Sequence, residues 1–213
     1  MGKLKLVVFD VDGTLIKARS SWQFLHEQLG TWDMGKQYAK QFFQGLIMYE
    51  EWARLDASLW KDFPIEKVQQ IVDSLRYADG AKGVITTLRK GGFKVVLLSA
   101  GLSLITERIK KEIGVDDALA NELVVESGFL TGEVKVNVSV RNKDEVLRSI
   151  LQKFDAKINE CAAVGDDETL IPLFNRVNLG IAFNPRSEAV KKHADVVVVG
   201  RDLRRILPHL LEK

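Results

Sequence analysis

Two aspartates one residue apart, Asp10 and Asp12, stand directly behind the apolar run Leu4-Lys5-Leu6-Val7-Val8-Phe9 and ahead of Gly13-Thr14-Leu15. An apolar run of this length reads as a buried strand. Both carboxylates then leave the strand end together, and Gly13 permits the tight backbone path needed to wrap a small ligand. Carboxylates this close repel each other unless a cation or a shared proton intervenes. Mg²⁺ suits the task, being hard, oxygen-seeking and able to keep waters for a phosphate. An Asp carboxylate can also attack phosphorus, and a second Asp can act as general acid toward the leaving oxygen. Two plainer readings compete. D-x-D-G is common in acidic turns, and a calcium loop would need a third short polar ligand where Thr14 stands.

Three further segments supply context. Lys94–Leu98 reads as a second apolar strand, ending in Ser99-Ala100-Gly101. Asn142-Lys143-Asp144 opens an amphipathic helix with Val146, Leu147, Ile150, Leu151 and Phe154 on one face. Cys161–Val164 reads as a third strand, ending in Gly165-Asp166-Asp167. In an open α/β sheet, ligands bind outside the carboxyl ends of the strands, so one site can gather all of these residues. Taken singly, Ser-x-Gly is a turn, a lone Lys is a solvated side chain and Gly-Asp-Asp is a loop. Lys143 can pair with Asp144 or Glu145, but a cation at a helix N-terminus opposes the macrodipole, which favours a functional role.

Beyond residue 80, strands and helices alternate, with helices predicted over 81–90, 103–112, 143–154, 168–175 and 201–212. Strands are predicted over 94–98, 161–164, 179–183 and 195–199. A hairpin is predicted from strands 122–126 and 133–138 about Ser127-Gly128. Such alternation predicts an α/β fold, a Rossmann-like parallel sheet with helices on both faces. Residues 17–77 differ: no strand is evident, apolar residues recur at helical spacing after Pro64, and all four tryptophans lie there. This stretch is expected to form a small helical cap with its own core, since it has no sheet to pack on. The expected division is a catalytic core of residues 1–16 and 78–213, with the cap at 17–77.

The ordered set resembles the haloacid dehalogenase superfamily of phosphohydrolases, and more closely its phosphoserine phosphatase branch, from Leu4 to about Leu207. Asp10–Thr14 matches the first motif, Ser99–Gly101 the second, Lys143 the third and Gly165–Asp167 the fourth. Gly128–Gly132, Gly180–Phe183 and Arg201–Arg204 also match. The resemblance implies a Mg²⁺-dependent phosphomonoester hydrolase acting on a small phosphorylated metabolite. Asp10 is then the nucleophile and Asp12 the acid and base. Ser99, Ala100, Gly101 and Lys143 bind phosphate, and Mg²⁺ is held by Asp10, Asp166 and the backbone carbonyl of Asp12. Leu170 departs from the pattern by replacing an expected acid. Asp167 is a candidate substitute, and Asp167 and Thr169 are candidate supports of the site. In phosphoserine enzymes of the branch, a cap Glu pairs with the substrate ammonium and a cap Arg with its carboxylate. Those positions fall on Arg19 and Asp56, with both charges reversed. The expectation is therefore a substrate other than phosphoserine, Arg19 and Asp56 either selecting it, pairing with each other or sitting solvated. The alternatives are phosphoserine phosphatase proper, a mutase, or a non-catalytic module binding Mg²⁺ and phosphate.

Net charge is +2 over 213 residues, which calls for neither a nucleic-acid nor a membrane partner. No apolar stretch approaches the roughly 20 residues of a membrane span. The first apolar stretch is the strand carrying Asp10 rather than a cleaved leader, so a cytoplasmic location is expected; the oligomeric state is left open. The single cysteine, Cys161, forms no internal disulfide and reads as an inert core residue. His26, His193 and His209 lack partners at metal-ligand spacing and are expected to be solvated or loosely packed.

Overall fold

The computed structural model describes residues 3–212. Residues 1, 2 and 213 of the expected core therefore lie outside the described residues. Among the described residues seven strands form one sheet: β1 (Leu6–Phe9), β2 (Lys94–Leu102), β3 (Asp117–Glu126), β4 (Phe129–Lys135), β5 (Cys161–Gly165), β6 (Leu179–Phe183) and β7 (Val196–Val198). Their order is β4-β3-β2-β1-β5-β6-β7, parallel throughout except for the β3–β4 pair. The α/β reading thus holds.

β1 lies in the middle because it is apolar at every position, as a strand covered on both faces must be. Val7 and Phe9 join one core cluster, Leu6 and Val8 the other, following the period-two alternation of a strand. The first cluster is roofed by Val84, Ile85 and Leu88 of α5 (Ala81–Lys90) and by Ile105 and Ile109 of α6 (Ser103–Ile113). The second is roofed by Leu147 and Ile150 of α7 (Lys143–Lys153). Cys161 is buried in this second cluster. Among the described residues no helix is long and apolar enough to cross a membrane.

Residues 17–77 supply four helices, α1 (Ser21–Leu29), α2 (Trp32–Phe43), α3 (Tyr49–Ser58) and α4 (Ile65–Asp73). They do have a sheet to pack on, which corrects the expectation of a self-contained cap core. Leu123 of β3 and Leu130 of β4 join Trp22, Leu25, Trp60 and Val68 in one buried cluster. The backbone N–H of Asp62 donates to the Leu130 carbonyl at 2.8 Å, and that of Leu130 donates to the Phe63 carbonyl at 2.9 Å.

Other boundaries moved for local reasons. Ser127 and Gly128 both adopt positive φ (50° and 85°), which makes a two-residue hairpin turn, so β4 resumes at Phe129 rather than at residue 133. β3 begins at Asp117 because its first residues pair in parallel with β2 before the hairpin starts. The helices expected over 168–175 and 201–212 each open as a 3₁₀ turn, and each continues as a short α-helix with proline in its first turn, Pro172 and Pro208.

Candidate active site

The carboxyl ends of β1, β2 and β5 and the N-terminus of α7 converge, as strand-end geometry requires of an open α/β sheet. Asp10 follows β1 and is buried, its N–H tied to the Val164 carbonyl at 2.9 Å. Lys143, the first residue of α7, is 2% exposed despite its charge. Its Nζ donates to Asp10 Oδ1 and to Thr169 Oγ1, each at 2.8 Å. The Thr169 hydroxyl in turn donates to Asp167 Oδ1 at 2.6 Å. Asp144 pairs elsewhere, with Arg176 at 3.3 Å. Burial pushes the Asp10 carboxyl above its ordinary value, and the Lys143 ammonium opposes the shift.

Asp12 is held from one side. Its Oδ2 accepts from the backbone N–H and the hydroxyl of Ser21, both at 2.8 Å, while its buried Oδ1 has no hydrogen-bond partner among the described residues. Burial raises this carboxyl to about 6, the Ser21 hydrogen bonds resisting. Ser99 Oγ accepts from the Gly101 N–H at 2.9 Å, which leaves its hydroxyl proton for a ligand. A Cβ at Gly101 would collide with the Ser21 hydroxyl, so the second motif needs glycine there for close approach. Gly13 has φ of 77° and faces the Asp166 carboxylate where a Cβ would stand, so both backbone path and space require glycine.

Asp10, Asp166 and Asp167 each offer a carboxylate oxygen, all within 4.8 Å of one another. Three hard oxygen donors at that spacing fit a divalent cation. Asp166 is also engaged by Arg186, whose Nε donates to Oδ2 at 2.6 Å. The same guanidinium reaches the carbonyls of Arg19 at 2.8 Å and Asp12 at 3.5 Å. Burial raises Asp166 to about 7 against the pull of Arg186. Arg186 carries no motif and was missed in the sequence. The available signal was its place just past β6, at the strand edge that also presents Asp10 and Asp166. Leu170 is fully buried against Gly165 and fills the core, so its position offers the site no oxygen.

Asp10, Asp12, Ser99, Lys143, Asp167 and Arg186 line a cavity of about 450 Å³ that Arg19 also lines, while Asp166 lies beneath that lining. Asp56 does not line it. Asp56 is buried behind Trp22, Tyr49 and Trp52, with its Oδ1 3.2 Å from His26 Nε2. Arg19 and Asp56 therefore do not pair, and Asp56 is not solvated. His26 is 1% exposed, which corrects the loosely packed role expected for it. Gly35 of α2 lies against its ring so closely that a Cβ would clash, and its Nδ1 is 2.7 Å from Thr31 Oγ1.

Residues 7–173 match the family of haloacid dehalogenase-like hydrolases. The chain belongs to that family. Among its relatives, the phosphoserine phosphatase of Methanocaldococcus jannaschii is 34% identical over 209 residues, which cover 98% of each chain. That of Lactococcus lactis is 32% identical, covering 95% of this chain and 93% of its own. In solved structures, a substrate-bound phosphoserine phosphatase complex superposes with a TM-score of 0.85 at 32% identity, covering 99% of this chain and 100% of the other. A phospho-aspartyl intermediate analogue of phosphoserine phosphatase does so at 0.84 and 32%, covering 98% and 100%. The HAD-like fold and the phosphatase branch expected from the motifs are thereby shown.

Proposed function

We propose that this phosphatase hydrolyses a small phosphomonoester by passing the phosphoryl group first to Asp10 and then to water. The observation that carries the reading is the buried Asp10 carboxylate, held by Lys143 at 2.8 Å on the floor of the cavity, beside the unpartnered Oδ1 of Asp12. Asp10 attacks phosphorus in line with the departing alkoxide. Asp12, whose carboxyl sits near 6, gives its proton to that alkoxide and then takes one from the attacking water. Lys143 and the Ser99 hydroxyl face the phosphoryl oxygens with a fixed charge and a fixed donor, both buried and already in place before the reaction. Asp10, Asp166 and the carbonyl of Asp12 would hold Mg²⁺, with Asp167 joining in place of the acid lost at Leu170. Bound there, the ion supplies charge neutralisation for the phosphoryl oxygens.

The relatives bring L-phosphoserine forward as the first substrate to assay, ahead of the expectation against it drawn from Arg19 and Asp56. In this cavity its carboxylate would meet Arg19. The test is phosphate release from L-phosphoserine with Mg²⁺, compared with Arg19→Ala. Turnover with KM raised about tenfold or more in the variant is expected, by analogy with removing one charged partner of a ligand. Hydrolysis of other monoesters without any of phosphoserine would reject it as the substrate. Failure on every monoester would reject the phosphatase reading.

Chelation is expected to abolish turnover and Mg²⁺ to restore it. Asp167→Ala should raise the Mg²⁺ concentration for half-activation by about tenfold to a hundredfold, the range for losing a supporting ligand. The variant removes both a carboxylate of the cluster and the acceptor that orients Thr169 toward Lys143. An unchanged Mg²⁺ titration would make Asp167 a loop residue without a share in the site.

A further inference from the structure

Much of the cavity lining is apolar. Trp22, Phe42, Phe43, Tyr49, Trp52 and Val140 belong to it. Phe42 stacks on Trp52 with centroids 4.6 Å apart and planes 21° from parallel, and Tyr49 meets Trp52 edge-on at 5.9 Å.

The polar tips of two of these residues are already spent. Trp22 Nε1 donates to the Ala100 carbonyl at 3.1 Å, the Tyr49 hydroxyl donates to the same oxygen, and Asn121 Nδ2 donates to it at 2.8 Å. Asn121 Nδ2 also donates to the Tyr49 oxygen at 3.0 Å. Trp22 and Tyr49 therefore turn apolar surface, not donors, toward a ligand. Against these two rings a hydroxyl-rich leaving group loses water without gaining partners, which is costly; the polar groups of the cavity, Arg19 and Ser20 among them, are other parts of its lining.

The apolar surface also continues outward. Phe43 is 78% exposed, and the loop joining α2 to α3 carries Leu46 and Met48 at 69% and 57%. Of these, Phe43 lines the cavity, so a large ring there offers exposed apolar surface that a ligand can cover.

We infer that the site also takes phosphomonoesters whose leaving group is apolar and about the size of one ring, gripped by the Phe42–Trp52 wall while the phosphate meets Asp10, Ser99 and Lys143. This rests on the phosphomonoesterase reading above and extends it to a second class of substrate. Discrimination then comes from the wall and not from the reacting bond.

The test holds the reacting bond constant. Benzyl phosphate and glycerol 3-phosphate are both esters of primary alcohols, so differences in their turnover report the pocket. kcat/KM for benzyl phosphate is expected to exceed that for glycerol 3-phosphate by tenfold or more, a modest demand on a ring-sized apolar contact. Phe42→Ala and the exposed Phe43→Ser are each expected to lower that ratio at least threefold. Phe43→Ser keeps the test valid if Phe42→Ala disturbs folding. A ratio near one, or a ratio unmoved in Phe43→Ser and in folded Phe42→Ala, would overturn the inference. Turnover of L-phosphoserine with none of benzyl phosphate would overturn it and leave the phosphatase reading standing. Absence of turnover on all three esters would bring down both.

Discussion

Asp10→Asn is expected to lower kcat on every phosphomonoester by about a thousandfold or more, the scale seen when a nucleophile is removed from a unit of coupled catalytic groups. The amide has the size of the carboxylate but cannot attack phosphorus. It can still accept the Lys143 hydrogen bond now made to Oδ1, so the variant should fold with the cavity intact, though less stably than wild type. The measurement is phosphate release at saturating Mg²⁺, with circular dichroism as the control for folding. Acid-quenched wild-type enzyme should carry one phosphoryl group on the peptide containing Asp10, and the variant none. Activity within tenfold of wild type would move the nucleophile elsewhere, and Asp12, with its unpartnered Oδ1, would be the next candidate.

Much of this site is legible in the chain because strand ends write themselves in a simple code. An apolar run that stops at an acid, as at Phe9-Asp10 and Val164-Gly165-Asp166, gives both the strand and the residue at its edge. Lys143 is readable because a cation at a helix N-terminus needs a reason. What the sequence hides is contact between elements far apart in the chain. Arg186 lies 20 residues from Asp166 and spans the gap with a long side chain that no motif announces. His26 and Asp56 look like ordinary helix residues until α1 and α3 pack. Packing then brings His26 Nε2 to 3.2 Å from Asp56 Oδ1 and buries Asp56 away from the cavity that Arg19 lines. The hairpin illustrates the same limit. Its Ser127-Gly128 turn is local and therefore legible, but its use as a floor for the helices of residues 17–77 depends on Leu123 and Leu130 meeting Trp22 and Trp60. Leu170 shows an absence that sequence can flag. The Thr169 hydroxyl beside it, which links Lys143 to Asp167, is a matter of side-chain geometry.

Lys143→Met is expected to destabilise the chelated protein by about 3–5 kcal/mol, the range for stripping one partner from a buried ion pair. Both side chains of the pair are nearly inaccessible, at 2% and 5% exposure, and the 2.8 Å contact is the main compensation for burying either charge. Met keeps the length and apolar bulk of the lysine stem, so the loss reports charge and not a cavity. Proton uptake by Asp10 limits the penalty, because a neutral carboxyl costs far less to bury than an ion. Asp10→Asn alone leaves the ammonium buried with only neutral partners, Thr169 and the new amide, and should also destabilise. The double variant removes both charges and should recover part of the loss, giving a coupling energy of about 1–3 kcal/mol between the two sites. Mg²⁺ adds a second reading of the same balance. With Lys143 gone, the one cation left in an ion pair with the cluster of Asp10, Asp166 and Asp167, among the described residues, is Arg186 on Asp166. The ion should therefore raise the melting temperature of Lys143→Met more than that of wild type. Urea unfolding and thermal melts, each with chelator and with Mg²⁺, measure both effects. Additive single-variant losses, or equal Mg²⁺ shifts, would mean that Lys143 is not the counter-charge holding Asp10 in its buried, ionised state.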